Sequence, residues 1–518
     1  MAIIGTLLKN GIRIRETIEQ EYSNPFDLQK NELKKLMIHA RLTAFGKYYG
    51  FKRILQEFKS DDPRAFYKMY RDNVPVFNYN KIYEEWWHRT REGEGDVCWP
   101  GKIKYYALSS GTSGASSKFI PVTKDLLRSI KKATVRQILT MPKYDLPGHL
   151  YEKGILMLGG STNLQDKGDY FEGDLSGITT AQVPLWFQSF NKPGNKIAKV
   201  RDWNEKLKEI VKVAHKWDIG IMAGNPAWVQ MLLEQIIEHY QVKTIHDIWP
   251  NLTIFTYGGV SFEPYKKGFE RLLARPLVYI ETYLASEGYV AFQARPNNSG
   301  MRMLLNNGIF FEFVPFTEEN FDEEGVMKPH PTTLMVDELE EGKEYALLMS
   351  TCSGAWRYEI GDTIKLVNKS EMELIITGRT KFFLSLCGEH LSVDNMNQAV
   401  KMVMEEMNIT IGEFCVAGIP HENLFAHQWY MSVEEPVDEA KLRERIDYYL
   451  KELNDDYTTE RTSALKDIFV KIIPNDLFIK WLEKHGNYGS QHKFPRVLKG
   501  AKLDDWCEFI AQETGESA

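Results

Sequence analysis

The chain has 518 residues, more than one hydrophobic core usually serves, so we expect at least two domains. Its 43% hydrophobic and 26% charged residues are ordinary for a globular protein, and a formal net charge of −7 without a basic stripe argues against a nucleic-acid-binding protein. Widely spaced cysteines without a CxxC pair indicate buried, reduced thiols in a cytoplasmic protein; they are Cys98, Cys352, Cys387, Cys415 and Cys507.

The first hundred residues have the periodicity of helices, as in FDLQKNELKKLMIHARLTAFGKYYG. The N-terminal apolar stretch is interrupted by Lys9 and Arg13 and lacks a small-residue cleavage site. This pattern favours an amphipathic helix over a secretory signal, and no later apolar run is long enough to span a bilayer. We therefore expect a cytoplasmic protein that does not act at a membrane.

From residue 103 onward, short strand-like runs such as GILMLGG and NLTIFTYGG alternate with amphipathic helical stretches, the first of which Thr123 would cap. This alternation predicts an α/β fold with mixed sheets covered by helices. Beyond residue 378 the order helix, strand, strand, helix, strand, helix predicts a compact α+β module. We therefore predict a large N-terminal domain over residues 1–378 and a smaller, mobile C-terminal domain over residues 379–518, joined by a short hinge.

The stretch YYALSSGTSGASSKFIPVT, residues 105–123, places six hydroxyl side chains and two glycines between two strand-like runs. Such hydroxyls and exposed backbone amides can surround phosphate oxygens, and Lys118 adds a positive charge. A Walker A loop is excluded because Lys118 follows Ser117 and leads into a second strand-like run rather than a helix. The alternative is a flexible, serine-rich surface hairpin.

Two acidic residues at predicted strand ends are candidates for the same nucleotide. Glu287 falls with Tyr283 and Ser286 on a short loop after a strand, and a loop carboxylate near a triphosphate is a natural Mg²⁺ ligand. Asp362 in WRYEIGD is expected at a turn between strands, where it would accept both ribose hydroxyls. The alternatives are a solvated charge or a helix-cap partner for Glu287, and a turn aspartate bonded to its own backbone for Asp362.

Three weaker signals remain. Gly258 and Gly259 in TYGGVSF would let an adenine ring approach the backbone, although Gly-Gly is also a common turn. Lys493 lies in a glycine-rich loop, either solvated or carried on a lid that closes on the reacting phosphorus. Three apolar side chains would line an acyl cavity or simply pack in the core: Met157, Met222 and Trp228.

The order of these motifs is more specific than any one of them. SSGTSGASSK, GG, YLASE, WRYEIGD, GRTKFFLSLCGEHLS and QHKFPR, from about residue 20 to the C-terminus, resemble the adenylate-forming superfamily that includes acyl-CoA ligases and firefly luciferase. SSGTS followed by a lysine, RYEIGD and QHKFPR resemble most the plant auxin-responsive, Gretchen Hagen-type acyl acid–amido synthetases.

The resemblance implies a role for each matched position. Lys118 matches a loop lysine, Asp362 a ribose-binding carboxylate, Arg379 an arginine at the domain hinge and Lys493 a lysine that closes on the adenylate. Tyr283 and Ser286 match AMP contacts, and Glu287 matches the Mg²⁺ ligand. The phosphate loop is matched by Ser109, Ser110, Gly111, Thr112 and Ser113. Thr380 and Lys381 stand where acyl-CoA ligases commonly carry aspartates, which leaves the hinge residue open.

The implied activity is a two-step ligation that uses ATP and Mg²⁺. A small carboxylic acid is activated to an acyl-adenylate, and an amino acid amine then takes the acyl group, giving an amide, AMP and pyrophosphate. Two alternatives stay open: an acyl-CoA ligase with the same first step, and a non-catalytic nucleotide-binding protein.

Overall fold

The computed structural model describes most of the chain, namely residues 24–109, 118–182, 188–259, 262–296, 298, 300–322, 325–380, 384, 391, 393–421, 424–454, 457–458, 461, 465–486 and 494–515. Several residues singled out above lie outside the described residues: Ser110, Gly111, Thr112, Ser113, Lys381, Cys387 and Lys493. The N-terminal amphipathic helix lies outside them too, and the backbone of Ser109 is described without its side chain.

The first hundred residues are helical where described, as predicted. Helix α1 begins after Asn24, whose side chain accepts the N–H of Phe26, with Pro25 in the first turn. The helices of this region are α1 Pro25–Ala40, α2 Ala44–Tyr48, α3 Phe51–Ile54, α4 Ala65–Asn73, α5 Tyr79–Ile82 and α6 His88–Arg91, and a π-helical turn, Tyr83–Trp87, joins the last two.

A small sheet follows, whose strands β1 and β2 form an antiparallel hairpin. Its members are β1 Tyr105–Ser109, β2 Lys118–Val122, β4 Gln165–Asp166 and β5 Phe171–Gly173. After β2, the hydroxyl of Thr123 accepts the N–H of Leu126 and starts helix α7, Lys124–Thr140, which confirms the predicted cap.

A sheet of eleven described strands crosses the large part of the chain in the order β12-β13-β14-β15-β11-β10-β9-β8-β7-β3-β6. The segment from β6 to β9 is parallel, and the rest is antiparallel. The strands are β3 Gly154–Leu158, β6 Asn191–Lys192, β7 Ile219–Gly224, β8 Ile254–Gly258, β9 Val278–Ala285, β10 Gly288–Phe292, β11 Met301–Met303, β12 Ile309–Pro315, β13 Glu344–Thr351, β14 Tyr358–Asn368 and β15 Glu373–Arg379.

Helices cover this sheet, as the alternating pattern predicted. They include α8 Leu175–Thr180, α9 Asn195–Ala198, α10 Trp203–Val213, α11 Pro226–Tyr240 and α12 Glu263–Glu270. The apolar faces of α10, α11 and α12 meet one face of the parallel strands in a buried cluster that includes Leu207, Met222 and Phe255. Because β3, β7, β8 and β9 are parallel, their carboxyl ends share one edge of the sheet. This edge is the usual place for a ligand in such folds.

The C-terminal part has its own sheet, in the order β18-β17-β16-β19, and its own buried clusters. Its elements are α13 Val393–Met407, β16 Ile411–His421, β17 Leu424–Val433, α14 Glu439–Leu453, β18 Leu465–Ile472, α15 Asn475–Lys484, β19 Val497–Leu498 and α16 Ala501–Thr514. The predicted order is confirmed as far as α15. The last helix was missed, although Trp506, Phe509 and Ile510 show helical spacing and form its buried face.

A separate sheet and core fit a second domain, but the boundary at residues 378 and 379 stays a prediction. No helix in the described ranges combines the length and apolarity needed to cross a membrane. Four of the cysteines are described and all are free thiols; Cys98, Cys352 and Cys415 are buried, and Cys507 is partly so.

Candidate active site

Lys118 lies at the base of the hydroxyl-rich loop. It opens β2 and pairs with Ser109, the last residue of β1, so that residues 110–117 connect the two strands of a hairpin. The Lys118 ammonium lies 5.6 Å from the centre of the Tyr79 ring, and the hydroxyl of Tyr79 accepts the N–H of Phe119 at 2.9 Å. The two strands that flank the motif are therefore as predicted, and an N-terminal helix supports the start of β2.

Glu287 lies in a tight turn between β9 and β10. Ala285 pairs with Gly288, which leaves Ser286 and Glu287 as the two turn residues. Tyr283 lies in β9 itself, not on the loop where we expected it. Glu287 is 7% exposed. Burial raises its pKa, and the positive charge of Lys118 opposes this effect.

Asp362 lies within β14, so the predicted turn was wrong. The strand continues through this point because Gly361 adopts φ +86° and the register with β15 shifts just after Thr363, a local irregularity that the sequence pattern did not separate from a turn. In β15, Arg379 stands directly opposite Asp362.

Both oxygens of the Asp362 carboxylate are oriented by neighbours. The Tyr283 hydroxyl donates to Oδ2 at 2.5 Å, and Arg379 Nε lies 3.2 Å from Oδ1. Arg379 also donates to the carbonyl of Ile360. Burial alone would lower the pKa of Arg379, but Asp362 and Tyr283 raise it above its usual value. A carboxylate has lone pairs for four hydrogen bonds, so acceptor sites remain for two hydroxyls of a ligand.

These groups act on one another electrostatically. The pKa of Glu287 responds not only to burial and to Lys118 but also to Asp362, which raises it, and to Arg379, which lowers it. Residues from three separate parts of the chain, the β1–β2 hairpin, the β9–β10 turn and the β14–β15 pair, thus meet in one place. The roles given to them individually remain predictions.

Gly258 ends β8 and Gly259 follows it, beside this cluster. A Cβ on Gly258 would lie 2.4 Å from the carbonyl oxygen of Thr282 in the neighbouring strand, and Gly259 adopts φ +84°. The backbone therefore requires glycine at both positions, because a side chain would clash at Gly258 and Gly259 has a positive φ. Their predicted role under an adenine ring is compatible with this position at the carboxyl edge of the sheet and stays a prediction.

The acidic residues fit a magnesium ion only in combination with phosphate. In the described ranges no group of three or more histidine, cysteine or acidic side chains could hold a metal by itself. Mg²⁺ is commonly held by one or two carboxylates together with the phosphates of a nucleotide, and one buried carboxylate, Glu287, matches that mode.

The sequence interpretation missed two aromatic residues of this site. Tyr79 is the support of Lys118 described above. Tyr358, fully buried at the start of β14, packs 5.6 Å from the ring of Trp87, and burial followed by the charge of Glu287 raises its pKa. WRYEIGD contains Tyr358, but nothing in the sequence linked Tyr79 to a lysine 39 positions away.

The candidate pocket residues have different surroundings. Met222 and Trp228 are buried in the cluster between the sheet and helices α10 to α12, as expected for core packing. Met157 is half-buried on β3, and its alternation with Leu156 and Leu158 directs it to the opposite face of the sheet.

Comparison with known proteins agrees with this architecture. Residues 14–208, 302–373 and 394–502 match the N-terminal, central and C-terminal domains of the GH3 family. A jasmonoyl–L-amino acid synthetase of Oryza sativa subsp. japonica is 23% identical over 73% of this chain and 74% of its own length. An indole-3-acetic acid-amido synthetase of Arabidopsis thaliana is 22% identical over 94% of this chain and 91% of its own.

Solved structures show the same fold. A GH3.15 acyl acid amido synthetase superposes with a TM-score of 0.75 at 15% identity, covering 99% of this chain and 96% of that one. A 2-hydroxyisobutyryl-CoA ligase in its postadenylation state gives a TM-score of 0.57 at 11% identity, over 94% and 91% of the two chains. With matches to three successive family domains and the fold of a family member over nearly its whole length, the chain belongs to the GH3 family.

Proposed function

We propose that the protein is an acyl acid–amido synthetase, which uses ATP to join a carboxylic acid to an amino acid. The observation that carries the proposal is the convergence of Lys118, Glu287 and the Tyr283–Asp362–Arg379 group, because these are the charges that an adenylation site requires. Membership of the GH3 family, together with relatives named as amino acid synthetases, supports the choice of an amine as the acceptor.

In the first half-reaction, an oxygen of the acyl carboxylate attacks the α-phosphorus of ATP, and the bond to pyrophosphate breaks. Asp362, oriented by Tyr283 and Arg379, would accept the ribose hydroxyls and fix the nucleotide. Phosphate oxygens would be held by Lys118, by Ser109 at the end of β1 and by the residues that follow it, Ser110, Gly111, Thr112 and Ser113. This step depends mostly on position and charge, which is what such a group of side chains supplies.

Glu287 is the residue that would hold Mg²⁺ together with ATP phosphates. When bound, the ion would neutralise charge on the leaving pyrophosphate. Lys493, on the C-terminal domain, is proposed to reach the α-phosphate when that domain closes, with the hinge near Arg379.

In the second half-reaction, the amine nitrogen of an amino acid attacks the acyl carbon. The bond from this carbon to AMP breaks, the amine loses a proton, and an amide and AMP are released. The mixed anhydride would hydrolyse in water, so closure of the smaller domain over the adenylate would protect it. The partners proposed are therefore small acids and amino acids in a cytoplasmic protein, with no nucleic acid or membrane involved.

The proposal is tested by incubating the purified protein with ATP, Mg²⁺ and a panel of carboxylic acids, with either the common amino acids or coenzyme A as acceptor. We expect AMP release and an amide detected by mass spectrometry. A CoA thioester without amide would instead identify an acyl-CoA ligase, and nucleotide binding without AMP release a non-catalytic protein.

Glu287→Gln and Asp362→Asn should each lower the adenylation rate by roughly 100-fold, because each removes a charge from the site. Glu209→Gln is a matched control, since Glu209 forms a surface ion pair with Lys212. If both site variants keep the rate of the unaltered protein, the site is misassigned.

A further inference from the structure

A second charged group lies at the same edge of the large sheet, outside the proposed nucleotide site. Lys206, on helix α10, is 3% exposed, and its Nζ donates to the carbonyl of Gly159, which follows β3, at 3.1 Å. The carboxylate that acts on Lys206 is Asp174, which lies against Gly160, and its effect on the pKa of Lys206 is weaker than that of burial. An ammonium group has three N–H donors, so one carbonyl leaves two of them to be satisfied.

The nearest aromatic ring adds another donor. Trp203 lies one helical turn before Lys206, and the Lys206 ammonium is 5.7 Å from the centre of its ring. Trp203 is 6% exposed, and its Nε1 is buried without a hydrogen-bond partner in the part of the chain that the structure describes. The end of β3 thus has two buried donor groups and a shortage of acceptors.

This arrangement costs stability unless an acceptor completes it. Burial lowers the pKa of Lys206 to about 8, against a weaker opposing effect of Asp174. Buried donors without acceptors are rare in folded proteins because their lost hydration is not replaced. A ligand that brings negatively charged oxygens would satisfy both the ammonium and the indole N–H.

The position of this donor pair limits which ligand it can serve. Strands β3, β7, β8 and β9 are neighbours, so the end of β3 lies three strand spacings, about 14 Å, to one side of β9. The register places Leu158 level with Glu281, and β9 continues about 13 Å further to Ala285, so the end of β3 and the turn that carries Glu287 are about 19 Å apart. The reacting carboxylate of the acid must lie near Glu287 and Lys118. The carboxylate of an α-amino acid is two bonds from its amine and stays close to the reacting carbon, whereas the far end of the acyl acid extends along the edge.

We propose that Lys206 and Trp203 form a subsite for a second carboxylate at the far end of the acyl acid, so that the protein adenylates acids with two carboxyl groups in preference to simple monocarboxylic acids. The inference rests on the proposed function and narrows its substrate class.

The test compares α,ω-dicarboxylic acids with monocarboxylic acids of equal length, about twelve to sixteen carbons to match this separation. The rate of ATP–pyrophosphate exchange gives kcat/KM for each acid. We expect at least a tenfold preference for one dicarboxylic acid, lost in Lys206→Met, reduced in Trp203→Phe and partly restored in Lys206→Arg. Lys208→Met is the matched control, because Lys208 is exposed on the same helix, and it should keep the preference.

A second readout does not depend on catalysis. A bound dicarboxylic acid should raise the melting temperature of the unaltered protein and of Lys208→Met, but not of Lys206→Met. Preference for monocarboxylic acids at every length, or an equal preference for dicarboxylic acids in folded Lys206→Met, would overturn the inference and leave the proposed function intact. Loss of exchange with every acid, combined with a melting shift that requires Lys206, would refute the proposed function and keep the subsite.

Discussion

Tyr79 lies outside the proposed nucleotide site but supports one of its residues, Lys118. Its ring faces the Lys118 ammonium, and its hydroxyl takes the N–H of Phe119, so one residue restrains both the charge and the backbone at the base of the loop. Cation–π contacts and backbone hydrogen bonds each contribute about 1 kcal/mol. Tyr79 is therefore a positioning residue: its ring also packs against Tyr83 and Trp87, so it connects Lys118 and Phe119 to the N-terminal helices.

Two substitutions of Tyr79 separate these contributions. Tyr79→Phe keeps the ring but loses the acceptor, and we expect KM for ATP to rise about threefold. Tyr79→Leu loses both, and the rise should reach about tenfold or more, with a smaller change in the KM of the acid. Initial-rate kinetics with varied ATP measure both. Equal effects on ATP and acid would mean that Tyr79 supports only the fold.

The burial of Lys206 should make the stability of the protein depend on pH. The pKa of Lys206 is about 8 in the folded protein and ordinarily 10.5, so between these values the unfolded chain holds a proton that the folded protein has released. Stability from this residue therefore rises with pH across that window, by up to about 3 kcal/mol, and is constant below it. Without ligand, Lys206→Met should be the more stable protein at pH 7.

The advantage of Lys206→Met should shrink as the pH approaches 10.5. Urea unfolding of both proteins at pH 7 and pH 10 gives the difference directly, because the other titrating groups are common to both. If the two proteins differ in free energy of unfolding by the same amount at pH 7 and pH 10, the charge on Lys206 does not destabilise the folded protein.

At the scale of elements, strand β14 is anchored by a buried ion pair. Arg357, just before the strand, adopts φ +43° and contacts Glu312 of β12 at 3.0 Å, with both side chains almost fully buried. Its guanidinium also donates to the carbonyls of Arg71 and Val74, which ties the N-terminal helices to the sheet. The strand that carries Asp362 is thereby held at its start.

Breaking the Arg357–Glu312 ion pair should destabilise the contact between the start of β14 and its neighbours. Glu312→Leu leaves a buried guanidinium without its partner and should lower the free energy of unfolding by about 3–5 kcal/mol, and Arg357→Met added to it should recover part of the loss. The control is Glu371→Leu, which breaks a partly exposed pair with Arg302 and should cost less than about 1 kcal/mol. Equal losses in urea unfolding for Glu312→Leu and Glu371→Leu would contradict this account.

At the scale of the whole molecule, one arginine joins the two parts of the chain. Arg271, at the end of helix α12, forms ion pairs with Glu434 and Glu435 and donates to the hydroxyl of Thr410. Lys267, one turn earlier, approaches the side chain of Asn408. Helix α12 follows the Gly258–Gly259 strand end, so this contact links the proposed nucleotide site to the C-terminal part.

These exposed pairs contribute modestly, about 0.2–1 kcal/mol each. Arg271→Ala, or salt that screens the pairs, should therefore shift the population of domain arrangements a few-fold without unfolding either part. A disulfide between Cys residues introduced at Lys267 and Asn408 should form more slowly in Arg271→Ala than in the parent. Identical rates at low and high salt would show that Arg271 does not hold this arrangement.

Side-chain type and local periodicity were enough to predict most of the helices and strands and the class of reaction. Helix α13 has the bounds of its predicted run, VDNMNQAVKMVMEEM, because apolar periodicity is a local property. The two strands that flank the SSGTS motif and the order of the motifs were also predicted correctly, because both depend on side-chain type and spacing along the chain.

Which residues come together in space became clear only from the folded chain. Asp362 faces Arg379 because β14 and β15 are neighbours, and Lys118 acts on Glu287 because a hairpin and a turn from distant parts of the chain share one edge. The buried donor pair of Lys206 and Trp203 is equally invisible in sequence, where both belong to an ordinary amphipathic helix. Strand order and burial depend on contacts between residues far apart in the chain, and no local pattern contains that information.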